Sequence, residues 1–228
     1  MATLTYIGHS AFALEANGKQ VLLDPFISGN PTAKHSASDF NPQTILLTHA
    51  HNDHVGDTVD IAKQSGATVI ATVELANYLG AQGVEVIGAN FGGTVKFDGG
   101  SAKFVPAWHT STYTAPEGVV APGVPAGFII EFGGKKIYAA GDTCLFSDMK
   151  LIGEAGIDIA LLPVGDHFTM GPDDALRAVK FVEPKTVIPC HYNTFPPIQQ
   201  DVSAFKKAVD AETGATCEIV EPGSTYEF

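Results

Sequence analysis

The hexapeptide HAHNDH at residues 49–54 holds three histidines and one aspartate within six positions. Neutral imidazole and carboxylate are side chains that zinc, manganese and iron accept as ligands. In an extended segment His49 and His51 share one side of the chain, and Asp53 and His54 follow as the chain turns. The sequence therefore predicts a loop that serves two metal ions.

Three more residues of the same chemical types follow apolar stretches that read as strands. His109 follows the segment 102–106 and a short turn, Asp142 follows 136–139 and Gly141, and His191 follows 186–188. Glycine at 141 would permit a close approach of the backbone to a ligand. Strand ends can aim side chains at a shared point, so we predict that these three residues join the hexapeptide in one metal centre.

The elements that must position these side chains read as a β-meander followed by alternating helices and strands, and this order occurs twice. The strands predicted from apolar alternation and turn residues are 4–7, 11–14, 21–23, 45–48, 68–71, 85–87, 94–97, 102–106, 127–132, 136–139, 157–162, 186–188 and 217–220. The predicted helices are 58–65, 73–80, 148–155, 172–182 and 202–211, and Gly133-Gly134 reads as a hairpin turn. The pattern predicts an α/β fold of two similar halves, in one domain over 1–228. The long loop 110–125 is a candidate wall of the site.

Composition narrows the possible partners. The chain has 228 residues and a formal net charge of −12, with Arg177 as its one arginine. Such a field repels phosphate backbones, so we expect no nucleic-acid partner. We also expect no membrane partner and a cytoplasmic location, because no stretch reads as a membrane span or an export signal. The three cysteines are widely spaced, which favours free thiols. A small-molecule substrate is expected, and a homo-oligomer is possible.

The chain resembles the metallo-β-lactamase superfamily, in particular its small prokaryotic metal-dependent hydrolases. The resemblance rests on the hexapeptide and on GHS at 8–10, LDPF at 23–26, GDHFTMGP at 165–172 and HYNTFP at 191–196. It implies a four-layer αββα sandwich with a dinuclear centre at one edge of two sheets. His49, His51 and His109 would hold the first metal ion, Asp53, His54 and His191 the second, and Asp142 would bridge them. Zinc is the expected metal, with manganese, nickel and iron as alternatives.

Further residues are candidates for supporting roles. Asp53 could orient the attacking hydroxide and shuttle its proton to the leaving group. His167 is a candidate proton donor or substrate contact. Asp24 is expected to accept a hydrogen bond from a ligand imidazole and fix its tautomer. Like Asp24, His9 is expected to contact a metal ligand and not the metal ion itself. The alternative for His9 is a direct contact with the substrate. For Cys190, alternation along its strand predicts packing in the core.

The leading functional hypothesis is a hydrolase in which a bridging hydroxide opens a lactone or another ester-like bond of a small metabolite. The nearest relatives of defined activity resemble ascorbate-6-phosphate lactonases. A metal-dependent phosphodiesterase or nuclease is one alternative. A non-catalytic, metal-binding regulatory protein is another. A flavodiiron-type oxidoreductase is disfavoured, because such proteins carry glutamate where this chain has His51 and add a flavin domain for which there is no room.

Overall fold

A computed structural model describes residues 1–116 and 118–228. Its first sheet has seven strands in the order β16-β1-β2-β3-β4-β5-β6. These strands are β1 (Ala2–Gly8), β2 (Ala11–Ala16), β3 (Lys19–Leu23), β4 (Thr44–Leu46), β5 (Thr68–Thr72), β6 (Val86–Ala89) and β16 (Thr225–Glu227). The strands β1 to β3 form an antiparallel meander, and β3 to β6 run parallel to one another.

The second sheet repeats this plan. Its seven strands have the order β15-β14-β13-β12-β11-β8-β7, antiparallel from β7 to β12 and parallel from β12 to β15. They are β7 (Thr94–Phe97), β8 (Gly100–Pro106), β11 (Ala126–Phe132), β12 (Lys135–Ala139), β13 (Ile159–Pro163), β14 (Thr186–Cys190) and β15 (Thr216–Cys217). A separate hairpin is formed by β9 (Tyr113–Ala115) and β10 (Gly118–Val120). The prediction of two similar halves is confirmed by this shared strand order.

The two sheets face each other across a common apolar core, and helices cover their outer faces. The helices are α1 (Asn52–Val55), α2 (Thr58–Ser65), α3 (Val73–Gly80), α4 (Met149–Gly153), α5 (Pro172–Val182) and α6 (Val202–Glu212), with short 3₁₀ helices at Ala37–Asp39 and Pro196–Ile198. Alternation within β2 shows the layering, because Phe12 and Leu14 enter the core between the sheets while Ala11 and Ala13 belong to a second apolar cluster, which also contains residues of α2 and α3. The result is the predicted four-layer αββα sandwich.

The candidate site residues lie at one edge of this sandwich. The strands β1, β3, β4, β8, β12, β13 and β14 all run in the same direction within their sheets and end at that edge. The residues that directly follow these strands include every candidate site residue named from the sequence. They are His9, Asp24, His49, His51, Asp53, His54, His109, Asp142, His167 and His191.

Several predicted elements differ from the structure. The loop 110–125 contains the hairpin β9–β10, and the strand expected at 217–220 is reduced to Thr216–Cys217 at the sheet edge, where it pairs with only two residues of β14. The helix expected at 148–155 spans Met149–Gly153. The C-terminal strand β16 was not predicted, because its three residues acquire strand structure only by pairing with β1.

The organisation as one domain over 1–228 stays a prediction. The longest helices in 1–116 and 118–228 have 11 residues. No helix in these ranges is long and apolar enough to cross a membrane.

Candidate metal centre

The carboxylate of Asp142 lies at the middle of the site. Its Oδ2 atom is 3.1 Å from Nε2 of His191, 3.3 Å from Nε2 of His54, 3.6 Å from Nε2 of His109 and 4.0 Å from Nε2 of His49. Two of these imidazoles come from each half of the chain. The carboxylate therefore stands between histidines that follow strands of both sheets.

The ligand atoms fall into two groups, and within each group they lie within 4.8 Å of one another. The first group is His49, His51, His109 and Asp142, and the second is His9, Asp53, His54 and His191. In the first group, Nε2 of His49 is 3.0 Å from Nδ1 of His51. The structure thus brings the seven predicted ligands together in two groups, and their division between two metal ions stays a prediction. His9 joins the second group as an addition.

Buried polar atoms without hydrogen-bond partners indicate whether these histidines and aspartates can bind metal ions. Nε2 of His54, Oδ1 of Asp142 and Nδ1 of His191 are buried and have no hydrogen-bond partner among the described residues. A buried polar atom without a partner costs stability. A cation beside Nε2 of His54 and the Asp142 carboxylate would remove much of that cost, and imidazole with carboxylate is a donor set suited to zinc, manganese or iron. The residues present therefore fit divalent metal ions.

Local backbone structure explains how one hexapeptide serves both groups. The chain is extended at His51, with φ −60° and ψ 146°, and then enters the single-turn helix α1. The extended part places His49 and His51 in the first group. The helical turn carries Asp53 and His54 round to the second group. The sequence prediction that the chain turns after His51 is confirmed by this helix.

Two glycines let the strand ends meet. Gly141 has φ +63°, and an added Cβ would lie 2.9 Å from Cβ of Thr48. Its close approach to Thr48 brings together strand ends of the two sheets, and the expected approach of its backbone to a ligand stays a prediction. At Gly165 an added Cβ would lie 2.0 Å from the carbonyl oxygen of His191. A side chain at either position would push apart the segments that carry the site.

Asp24 contacts His54, one of the predicted ligands. It is buried, and its Oδ1 accepts a hydrogen bond from the Thr48 amide at 2.8 Å. Its Oδ2 accepts one from the Thr48 hydroxyl at 2.6 Å and lies 2.8 Å from Nδ1 of His54. Because a carboxylate only accepts, Nδ1 of His54 carries the proton, and Nε2 is directed at Asp142.

Electrostatics set the protonation of the centre. Burial opposes ionisation of Asp142, but His191 and His54 outweigh it and hold the pKa of the carboxyl well below its usual range. Burial, together with the neighbouring imidazoles, lowers the pKa of His49, His51 and His109. For His54 burial also acts to lower the pKa, but Asp142 and Asp24 raise it well above the ordinary value. The imidazoles of His49, His51 and His109 therefore stay neutral and the carboxyl of Asp142 stays ionised, which are the forms that bind metal.

His9 and His167 occupy different environments. The ring of His9 is buried, with Nε2 3.1 Å from Oδ2 of Asp53 and Nδ1 3.0 Å from Oγ1 of Thr194. Burial lowers the pKa of His9 to about 4. His167 is exposed and has φ +54°, and its ring packs edge-on with the Phe168 ring at a centroid distance of 4.4 Å. The structure thus places His9 against a candidate ligand and leaves His167 exposed.

Sequence reasoning missed several residues that hold the site together. Thr143 accepts from the Trp108 amide at 3.0 Å through its hydroxyl, and its carbonyl accepts from the Met170 amide at 3.0 Å. It thereby ties together the loops after three strands. The Ser111 hydroxyl accepts from the Ala50 amide at 3.1 Å. A signal was available in Thr48 and Thr143, since each directly adjoins a predicted ligand in the sequence.

The rim of the centre carries exposed aromatic side chains. Trp108 is 65% exposed and directly precedes His109, and Phe168 is 52% exposed in the loop between β13 and α5. Both side chains belong to segments that follow strands of the second sheet, as do His109 and His167.

Comparison with known proteins agrees with this geometry. A family model described as the β-lactamase superfamily domain matches residues 3–191. The chain belongs to the metallo-β-lactamase superfamily. It is 49% identical over 228 residues to a UPF0173 metal-dependent hydrolase of Thermus thermophilus, covering 100% of both chains. It is 50% identical to a protein of the same description from Ligilactobacillus salivarius, with 96% of this chain and 98% of that protein covered.

A solved structure shows the same relationship. Igni18, described as a novel metallo hydrolase from Ignicoccus hospitalis, has a TM-score of 0.90 and 41% sequence identity to this chain. The match covers 100% of this chain and 99% of Igni18. Together with the histidine and aspartate clusters, these relatives identify the chain as a metal-dependent hydrolase of the metallo-β-lactamase superfamily.

Proposed function

We propose that this metallo-β-lactamase superfamily member hydrolyses a lactone or another ester-like bond of a small metabolite, using two divalent metal ions. The observation that carries the proposal is the position of Asp142, whose Oδ2 lies within 4.0 Å of Nε2 of four histidines drawn from both sheets. A carboxylate surrounded in this way is suited to join two cations.

The residues divide into two sets of ligands. His49, His51 and His109 would hold one ion, Asp53, His54 and His191 the other, and Asp142 would contribute to both. When bound, two such ions lower the pKa of a bridging water enough to supply hydroxide near neutral pH and polarise the carbonyl under attack. Zinc is the metal we expect from the donor types, with manganese, nickel and iron as alternatives.

Asp53 is the carboxylate of the centre that can reach a substrate. Its side chain is 34% exposed, whereas that of Asp142 is 3% exposed. Burial opposes its ionisation, but the hydrogen bond from His9 and the nearby His54 hold the pKa of Asp53 well below its usual range. Asp53 is thus ionised at neutral pH. In the proposal it orients the attacking water, accepts its proton and passes it to the leaving oxygen.

His167 has a proposed role on the substrate side. Its loop lies between the segments that carry Asp142 and His191, since β13 lies between β12 and β14. The Met170 amide binds the Thr143 carbonyl and fixes this loop beside Asp142. The exposed imidazole of His167 is available to a substrate, and we assign it to hydrogen bonding with the substrate or its leaving group.

The rim and the net charge favour a small substrate with an apolar part. Trp108 and Phe168 offer aromatic surface beside the metal ligands. A net charge of −12 opposes the approach of a polyanion, so we disfavour a nucleic-acid substrate. A lactone or ester of a metabolite with little negative charge meets both conditions.

The test is hydrolysis by protein loaded in turn with zinc, manganese, nickel or iron. The panel contains aliphatic and aromatic lactones, thioesters, amides and a phosphodiester, and metal content is measured on the same samples. We expect turnover of lactones or esters, lost in Asp142→Ala and His51→Ala and kept in His35→Ala, which changes a histidine outside the cluster. Turnover of the phosphodiester alone would replace this proposal with the alternative, and full metal content without turnover of any substrate would contradict it.

A further inference from the structure

His9, in the turn Gly8-His9-Ser10, has a side chain whose orientation is fixed by its surroundings. His9 lies between β1 and β2 with φ +58° and is completely buried. Its ring packs against the edges of the Phe26 and Phe195 rings, at centroid distances of 5.8 Å and 5.4 Å. Left-handed backbone is uncommon for a residue other than glycine and persists where the surroundings enforce it. One orientation of the imidazole is therefore fixed.

Both ring nitrogens have a polar partner. Nε2 is 3.1 Å from Oδ2 of Asp53, and Nδ1 is 3.0 Å from Oγ1 of Thr194. An ionised carboxylate can only accept, so Nε2 carries the proton that faces Asp53. In the neutral ring Nδ1 is then an acceptor for the Thr194 hydroxyl, whose other acceptor, the Tyr192 carbonyl, is farther away at 3.4 Å. A nitrogen that carries a proton has no lone pair for a metal ion.

The backbone of His9 also contacts the second ligand group. Its carbonyl oxygen accepts hydrogen bonds from the His191 amide at 2.6 Å and from the Tyr6 hydroxyl at 2.9 Å. The ring centroids of His9 and His191 are 4.1 Å apart. A residue near the start of the chain thus contacts two candidate ligands, Asp53 from the first half and His191 from the second.

We propose that His9 is a positioning residue that holds Asp53 through a Thr194–His9–Asp53 hydrogen-bond chain and so completes the second metal site. In this chain the Thr194 hydroxyl selects the tautomer of His9, and Nε2–H of His9 donates to Oδ2 of Asp53, so that the other carboxylate oxygen would remain available to a metal ion. The inference rests on the metal centre of the proposed function and is independent of the substrate. Loss of such a supporting partner typically weakens metal binding about 10- to 100-fold.

The test measures the affinity of each metal equivalent by competition with a chromophoric chelator, together with the visible absorption spectrum of the cobalt-loaded protein. His9→Asn is the removal variant, because asparagine tolerates the left-handed backbone but its amide is too short to reach Asp53. His9→Gln is the rescue variant, since its longer side chain carries an N–H toward the same carboxylate. Thr194→Val removes the hydroxyl and Thr194→Ser keeps it. His35→Ala is the control.

We expect His9→Asn to weaken one metal equivalent about 10- to 100-fold and to change the cobalt spectrum. His9→Gln should restore most of the affinity, Thr194→Val should weaken the same equivalent to a smaller degree, and Thr194→Ser should behave as the parent. Parent affinity and spectrum in His9→Asn would overturn the proposal. The proposal would also be overturned if His9→Gln did not restore metal affinity and the cobalt spectrum showed the loss of a nitrogen ligand. Those two results together would make His9 a metal ligand.

The two Thr194 variants keep the test decisive if a His9 variant does not fold. Equal metal binding by Thr194→Val and Thr194→Ser would then contradict the hydrogen-bond chain. The outcome is also separable from that of the proposed function. A protein that binds two metals through this chain but hydrolyses none of the tested esters would support the inference and contradict the proposed activity.

Discussion

Asp24 and His54 form a buried pair in which Oδ2 of the carboxylate lies 2.8 Å from Nδ1 of the imidazole. The same oxygen also accepts from the hydroxyl of Thr48 at 2.6 Å. Asp24 itself has φ +43°, a backbone conformation that costs stability for a residue other than glycine. The pair therefore fixes the tautomer of His54 and the direction of its Nε2 toward Asp142.

Replacing Asp24 tests this arrangement. Asp24→Ala leaves Nδ1 of His54 and the Thr48 amide without their buried partner, so we expect metal affinity to fall about 10- to 100-fold. Chelator competition measures the change. Asp39→Ala is the control, because that exposed carboxylate bonds to Ser36 in a 3₁₀ turn away from the centre. Parent affinity in Asp24→Ala would show that His54 is oriented by its other contacts.

Much of the fold and the chemical types of the candidate ligands could be predicted from the sequence. Helices with strong patterns were predicted with the observed bounds, as in 58–65, 73–80 and 172–182. The metal hexapeptide was recognisable because its residues are adjacent. The contacts of Thr194 with His9 and of Thr143 with Trp108 were not recognisable, since the partners are far apart in sequence. Thr194 meets His9 only when the two halves pack, and Thr143 meets Trp108 only when the second sheet forms. The hairpin β9–β10 was missed because its two three-residue strands lie in the segment 110–125, which is rich in threonine, proline and glycine and resembles a loop.

Metal removal should lower thermal stability. A ligand at 100 times its dissociation constant stabilises the folded state by about 2.7 kcal/mol, and in a protein of this size that corresponds to a shift in Tm of roughly 5–10 °C. We expect a strong chelator to lower the Tm of the metal-loaded protein by this amount, and one cooperative transition if residues 1–228 form a single domain. Asp142→Asn should melt at the same temperature with and without chelator. Chelator-independent melting of the parent protein would contradict a bound metal.

The three cysteines should differ in reactivity. Cys144 is exposed, whereas Cys190 and Cys217 are buried. Burial also raises the pKa of the Cys217 thiol to about 12, which further lowers its thiolate fraction at pH 8. We expect a disulfide reagent to label one thiol rapidly in the native protein and three after denaturation, and Cys144→Ser to remove the rapid reaction. Rapid labelling of two thiols in the native protein would contradict the packing of Cys190 in the core.

Asp158 should contribute a stability that depends on acid pH. It accepts hydrogen bonds from Lys185 Nζ at 2.7 Å and from the Lys136 amide at 2.9 Å. Burial opposes ionisation, but these donors prevail and lower the pKa of the carboxyl. A carboxyl with a depressed folded pKa stabilises above its unfolded pKa of about 4 and loses that contribution as the pH falls through the folded pKa.

Because Lys185 is exposed and screened, we expect Asp158→Asn to cost about 0.2–1 kcal/mol of unfolding free energy at pH 6. The difference between the parent and the variant should shrink as the pH is lowered below about 4. Urea unfolding at a series of pH values measures this difference in unfolding free energy. A difference that grows toward acid pH would contradict the assigned direction.

Asn52 fastens the hairpin β9–β10 to the metal-binding loop. Its Nδ2 donates to the Thr114 carbonyl at 3.1 Å, and its Oδ1 accepts from the Thr114 amide at 2.9 Å. Each such bond contributes about 0.5–1.5 kcal/mol. Asn52→Ala should therefore speed hydrogen exchange of the Thr114 amide several-fold, and Asn52→Asp should retain most of the protection because an acceptor remains. The Ala126 amide at the start of β11, which donates to the Thr48 carbonyl, serves as the internal control. Equal acceleration at both amides would mean that Asn52 stabilises the whole edge, whereas acceleration confined to Thr114 would establish the hairpin as a separately mobile arm beside the ligands.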